Sequence, residues 1–401
     1  MFRQILWPVL VPSLLFAVAM GALTPVLVLA ALGVGATESF AAILVGLMGG
    51  VSLCLAVPAG IMIDRLGDTR AMYAATIASV FVFGAIVVAL AWHSAASLAL
   101  YTVALMLLAP ISDVWNLARQ AVVAETVAPA DLGRAMTSLG GCMRVGTLVG
   151  PIASAGLLYV FPMWSVFVFS ACCGIAAIIV LSLPVSRTFD DHRRRPRPAR
   201  DADGVRPRLK VAWTPVMLAG VSIATLAVAR AIQPVSVQLW GVQIGLHESA
   251  ISLLIALGAA LELILMFPGG YLKDRLGRSA VLLACLGAFA VGFTVMVLAP
   301  SLTGLIAAIV VMAVGNGLGA GVNMTIGADL SPAVGRARFL GIWALFTNTG
   351  KLGGPSLFSL AILLSSLSAG ILTSAALAAF GAVWILAWSR RIGLPKGLRH
   401  G

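Results

Sequence analysis

The chain is a succession of apolar runs, most of them close to the roughly 20 residues that a membrane-spanning helix needs, separated by brief polar turns. The runs lie near 6–33, 39–61, 71–92, 96–124, 136–160, 163–184, 213–240, 249–270, 280–299, 301–327, 338–366 and 368–389. Apolar/polar alternation over about ten residues, as in an outer-membrane barrel, is absent. Backbone in lipid must satisfy its own N–H and C=O groups, so each run is expected to be a helix. The pattern predicts an all-α polytopic membrane protein with about twelve spans. Residues 185–212 break the rhythm with nine Lys/Arg, four Asp and three Pro. Such a stretch cannot bury enough surface to fold alone. It reads as a cytoplasmic basic linker between a six-helix bundle at 1–184 and a second at 213–401.

Composition agrees with this pattern. With 61% hydrophobic residues and a mean hydropathy of +1.06, the chain cannot hide its apolar surface in a soluble core. The net charge of +12 would suit nucleic acid, but its placement argues otherwise. Nearly all extramembrane Lys and Arg fall in the turns at 62–70, 125–135, 185–212, 271–279 and 328–337, and the alternate turns carry none. By the positive-inside rule the basic turns and both termini are expected in the cytoplasm of a multi-pass cell-membrane protein. The five cysteines lie inside apolar runs, with no spacing for a metal or a disulfide framework. The first run is too long for a removable signal peptide. No HExxH, GxSxG or Walker lysine motif is present, and the glycine-rich run at 315–323 follows no strand. Glycines four apart there permit close helix approach. Neither an enzyme nor an ATP-driven pump is expected, and no cofactor.

One charged phrase is written twice. VPAGIMIDRLGDTR at 57–70 returns as FPGGYLKDRLGRSA at 267–280, an offset of 210. Pro58, Gly60, Asp64, Arg65, Leu66 and Gly67 recur as Pro268, Gly270, Asp274, Arg275, Leu276 and Gly277. At an offset of 204, Glu125 is echoed by Asp329, Arg134 by Arg338, Gly146 by Gly350, and Gly150-Pro151 by Gly354-Pro355. Two related halves about an axis along the membrane normal are a known transporter architecture, with the substrate site near the midplane.

These residues resemble the major facilitator superfamily. Gly60-x3-Asp64-Arg65-x-Gly67 and Gly270-x3-Asp274-Arg275-x-Gly277-Arg278 are similar to its cytoplasmic loop signature, although Asp68 stands where the family usually has Arg, leaving Arg70 as a substitute. Gly146-x3-Gly150-Pro151 resembles the motif of antiporter branches, and Asn116-Leu-Ala-Arg119-Gln120 the fourth-span arginine motif of drug exporters. The resemblance implies a monomeric transporter. A carboxylate at Asp64 or Asp274 suits capping a helix N-terminus in the opposite half. Arg65 or Arg70 with Glu125, and Arg275 or Arg278 with Asp329, are candidate pairs of a cytoplasmic gate. The alternative is a set of solvated turn charges.

Charges inside spans are costly and usually face a cavity or a partner. They are Asp113 and Arg119 in the fourth span, Arg144 in the fifth, Arg230 in the seventh, Glu262 in the eighth and Lys351 in the eleventh. Spans three, six, nine and twelve have none, and these are the supporting helices in the family resembled. Asp113 and Glu262 are the two candidate proton carriers, because burial and a neighbouring guanidinium push a carboxyl's proton affinity in opposite directions. Arg144, at similar depth, and then Arg119 are candidate counter-charges for Asp113, and Lys351 for Glu262. Structural ion pairs that never titrate are the alternative. Trp115, Asn116, Asn316, Asn323 and Trp343 are candidate cavity walls, with plain helix packing equally open for the tryptophans. The four deep cations against two acids favour a neutral or anionic solute. The reading is a secondary transporter working by alternating access, with a small-molecule substrate, protons and the lipid bilayer as partners, expected to export an amphipathic molecule by proton antiport. Proton-coupled uptake of an organic anion and a non-transporting ligand sensor are the rivals.

Overall fold

Every apolar run is helical in the computed structural model, which describes residues 6–92, 94, 96–126, 132–183, 211–332 and 336–393. A π-helical turn, Leu6–Leu10, leads into α1 (Val11–Leu23) and α2 (Leu27–Gly33). The first half continues with α3 (Glu38–Leu66), α4 (Asp68–Trp92), α5 (Ser97–Thr126), α6 (Leu132–Val160) and α7 (Trp164–Ser182). The second half comprises α8 (Trp213–Gln243), α9 (Glu248–Leu276), α10 (Arg278–Leu298), α11 (Leu302–Leu318), α12 (Val322–Asp329), α13 (Arg336–Leu364) and α14 (Leu367–Ile392). Among the described residues, eleven helical runs are long and apolar enough to cross a membrane. The twelfth, α13, matches α3 in length but carries Arg336, Arg338 and Lys351. Large side chains face outward, with Phe81 75%, Tyr159 81% and Leu298 76% exposed, an apolar exterior that only lipid can cover.

Two expected single helices are broken. The first run turns at Thr24–Val26, where Pro25 has no N–H to give; Tyr101 Oη donates to the Leu27 carbonyl just beyond, at 2.6 Å. The tenth run breaks between α11 and α12, where Gly321 adopts a left-handed φ of 76°. Its glycines also do what their spacing suggested. A Cβ on Gly317 would lie 3.1 Å from the Glu262 Cα, and one on Gly319 2.8 Å from the Cys285 sulfur.

The chain forms two compact units. The first is Met1–Thr37, Leu47–Ala199 and His247–Ala256; the second is Glu38–Gly46, Arg200–Leu246 and Leu257–Gly401. In the first, α1 packs on α6 and α7, and α4 on α5 and α7. In the second, α8 packs on α13 and α14, and α10 on α11 and α14. Each pairing in one unit has its counterpart in the other. The repeat extends to the turns. Gly67 and Gly277 both have left-handed backbone, at φ 85° and 88°, and so do Gly35 and Gly245, at 93° and 76°. Ahead of the second pair, Val34 N–H donates to the Ala30 carbonyl at 3.1 Å and Ile244 N–H to Trp240 at 3.0 Å. A residue without Cβ ends the helix at the same point in each half.

Small residues set the tightest helix contacts. Gly146 and Gly150 of α6 meet Ala17, Gly21 and Ala22 of α1 backbone to backbone, and Ser154 Oγ donates to the Ala22 carbonyl at 2.6 Å. In the second unit a Cβ on Gly350 would lie 2.6 Å from the Ala224 carbonyl oxygen, and one on Gly354 3.1 Å from the Val228 Cα.

Candidate functional site

In the first unit the fourth-span arginine is the centre of a buried cluster. Trp115 of α5 has no accessible surface, stacks on Phe16 with ring centroids 4.4 Å apart, and donates from Nε1 to Thr76 Oγ1 at 2.8 Å. Arg119, one turn on, lies over the Trp115 ring and donates to Asn116 Oδ1 and the Met143 sulfur. Its Nε is buried without a hydrogen-bond partner, and no carboxylate pairs with it among the described residues. Of the two readings open for Trp115, cavity wall and helix packing, its burial fits packing. Asp113 and Arg144 are half-buried on α5 and α6, yet they do not come within ion-pairing distance. Those helices touch only sparsely. Equal depth along two helices does not make their side chains face each other.

The second unit contains a cavity of about 240 Å³. Ile223, Leu226, Ala227 and Ala231 of α8 form its apolar wall, and Arg230, Asn323, Thr347 and Lys351 its polar one. Arg230 is anchored at the broken tenth span, with Nε donating to Asn316 Oδ1 at 2.6 Å and a second nitrogen to the Gly319 carbonyl at 3.3 Å. A carbonyl freed by the helix break thus finds a cation, as irregular backbone at membrane depth requires. Trp343 Nε1 donates to Asn323 Oδ1 at 2.8 Å, and Asn323 Nδ2 in turn to Thr347 Oγ1 at 2.9 Å. Trp343 is only 3% exposed, so it orients Asn323 and does not itself line the cavity. Asn316 likewise serves Arg230. Lys351 makes no ion pair among the described residues, so the expected Glu262–Lys351 pair is not formed. Glu262 is half-buried on α9, within electrostatic range of the Cys285 thiol, which Arg230 also reaches.

The repeated loops are partly visible. Arg278 Nε lies 3.0 Å from Asp329 Oδ2, one of the two arginine pairings expected there. Arg275 instead sits over the Tyr271 ring, 5.2 Å from its centroid. Asp68 is buried in the first turn of α4, where a carboxylate suits the helix N-terminus. Arg65 and Arg70 are exposed. The side chains of Asp64, Glu125, Gly270 and Asp274, with the caps and pairs assigned to them, lie outside the described residues, as does most of the linker.

The sequence model of the Major Facilitator Superfamily matches residues 9–230 and again 219–399. The chain belongs to that superfamily. The double match follows the same repeat as the glycines and the helix pairings. Among functionally curated proteins no sequence match is found. Solved transporters share the fold. A POT family transporter in complex with a thioalcohol-conjugated peptide superposes with a TM-score of 0.74 at 11% identity, covering 96% of each chain. A bacterial homologue of the iron transporter ferroportin, in an inward-facing state, gives 0.75 at 18% identity, over 95% of this chain and 97% of that one. A bacterial homologue of the human lysosomal transporter Spinster gives 0.69 at 15%, over 96% of each. At such identities the likeness carries the fold. The chain is a multi-span secondary transporter of small molecules.

Within this major facilitator chain, sequence reasoning missed Thr347 and the Gly35/Gly245 pair. Both had a signal. Thr347 precedes Lys351 by four positions, one helical turn on the same face. Gly35 and Gly245 share the 210-residue offset of the loop motif. Ser39 and Ser359 had none. In the second unit their hydroxyl oxygens are 2.9 Å apart, and Ser359 Oγ donates to the Ser39 carbonyl at 2.7 Å.

Proposed function

We propose that this transporter couples protons to the export of a small amphipathic molecule by antiport, with Asp113 as the proton carrier. The observation that carries the reading is Asp113 itself, a half-buried carboxyl within an apolar span that has no ion-pair partner among the described residues. A carboxyl inside a span is costly and marks an ion or proton pathway unless a partner accounts for it. Glu262 is the competing carrier, and it already has interactions of its own. Export is supported by the antiporter-like Gly146-x3-Gly150-Pro151, which joins α6 to α1, and by the exporter-like Arg119, buried to 4% exposure. The cationic cavity favours one rival, proton-coupled uptake of an organic anion, and only the direction of flux separates the two.

Asp113→Asn is expected to abolish pH-driven flux in proteoliposomes while leaving substrate exchange at equal pH intact, because exchange needs no net proton movement. Glu262→Gln is expected to keep pH-driven flux. Retention of pH-driven flux by Asp113→Asn, with loss in Glu262→Gln, would move the coupling to Glu262; retention by both would remove proton coupling through either acid.

A further inference from the structure

The cavity between α8, α12 and α13 offers its contents an unusual chemistry. Its polar wall holds donors and two cations, and no acidic side chain lines it among the described residues. The one amide oxygen there, Asn323 Oδ1, is already taken by the Trp343 N–H. Thr347 Oγ1 accepts from Asn323, so its own proton is left to point elsewhere. Lys351 has three N–H donors and no carboxylate partner among the described residues. The Arg230 guanidinium donates to Asn316 and Gly319 and reaches the Cys285 sulfur, which fixes its plane while its charge lines the cavity. A half-buried Arg230 and an exposed Lys351 thus stand together beside apolar walls within spans, where cations usually meet a partner or a cavity ligand of opposite charge.

We propose that this cavity is an oxyanion subsite that takes the carboxylate of a small amphipathic acid. The carboxylate oxygens accept from Arg230, Lys351 and the Thr347 hydroxyl, and the aliphatic part lies on Ile223, Leu226, Ala227 and Ala231. The volume of about 240 Å³ is below the roughly 300–1,000 Å³ of drug-sized sites. It suits a head group with a short chain. Trp343, through Asn323, acts as a positioning residue that keeps Thr347 turned to donate. The inference rests on the transporter reading above and adds the charge and class of its cargo.

Binding is tested without flux. Purified protein in nanodiscs is titrated with butanoate, hexanoate and benzoate, and with hexanamide and hexylamine as neutral and cationic counterparts of similar shape. Heat of binding and tryptophan fluorescence are the readouts. At least one carboxylate is expected to saturate, with affinity tenfold or more above the amide, as charge-assisted hydrogen bonds to two cations imply, roughly. Lys351→Gln is expected to weaken it by a similar factor, Lys351→Arg to keep most of it, and Thr347→Val to lower it less. Arg230 also holds the helix break, so the test does not depend on replacing it. No saturable carboxylate binding, equal binding of hexanoate and hexanamide, or indifference to Lys351→Gln overturns the proposal. Carboxylate binding that follows this pattern in a protein that moves no solute leaves the subsite standing and removes the transport reading. Flux of neutral or cationic solutes with no carboxylate binding does the reverse.

Discussion

Oxidation of a Ser39→Cys/Ser359→Cys double variant is expected to reduce transport to the level of protein-free liposomes, and reduction to restore it. The two hydroxyl oxygens are 2.9 Å apart and each serine bonds the other's backbone carbonyl. Thiols placed there start close to the S–S bonding distance of about 2.05 Å. The contact is tight along the helix as well, since a Cβ on Gly46 would lie 2.9 Å from Ser356 Oγ and 3.2 Å from the Leu352 carbonyl. Residues Glu38–Gly46 pack in the second unit while α3 continues into the first. A covalent tie at Ser39 therefore fixes the start of α3 to α13 within the second unit. Alternating access requires helix ends such as these to change their packing during the cycle. The exposed Cys54 and Cys172 are replaced by alanine in the background, and each single variant serves as control. Full flux after oxidation, with the cross-link verified by mass, would show that this contact never opens.

The second large effect is on folding. Gly150→Leu is expected to destabilise the first unit by more than the usual overpacking cost of about 1–3 kcal/mol. The new side chain would strike backbone atoms of Gly21 and Ala22, which have no rotamer to yield. Gly146→Val meets Ala17 in the same way. Gly140→Ala and Gly141→Ala on the same helix meet nothing within 4 Å. They are expected to be neutral, or stabilising by up to about 1 kcal/mol through helix propensity. Melting temperature in detergent micelles and the yield of inserted protein measure the contrast. If all four variants melt alike, the glycine contact between α1 and α6 does not hold the unit together.

Much of the fold was legible because membrane helices announce themselves by length and composition. The repeat was legible because both halves need the same glycine at the same turn; Gly67 and Gly277 match in backbone as they do in sequence. Of the six in-span charges, Arg230 and Lys351 line a cavity. Their partners were not legible. A rise of about 1.5 Å per residue fixes how deep a side chain sits, but the rotation of each helix decides what it faces. Asp113 and Arg144 share a depth and form no pair, and Arg230 found Asn316 across the bundle. The tryptophans were ambiguous for the same reason: Trp115 and Trp343 turn their rings inward to Thr76 and Asn323. The break at Gly321 was hidden in a run whose glycines had a sufficient explanation in close packing.

Proton-coupled movement of an amphipathic acid has a direct readout. Everted membrane vesicles with an acidified lumen and a pH-sensitive dye test it most directly, with hexanoate and benzoate added beside hexanamide and hexylamine, and vesicles lacking the protein as the control for passive entry of the neutral acids. Protein-dependent proton efflux is expected on adding a carboxylate, and none with the amide or the amine. Protein-dependent efflux with the amine alone, or carboxylate flux that moves no protons in either direction, would contradict it.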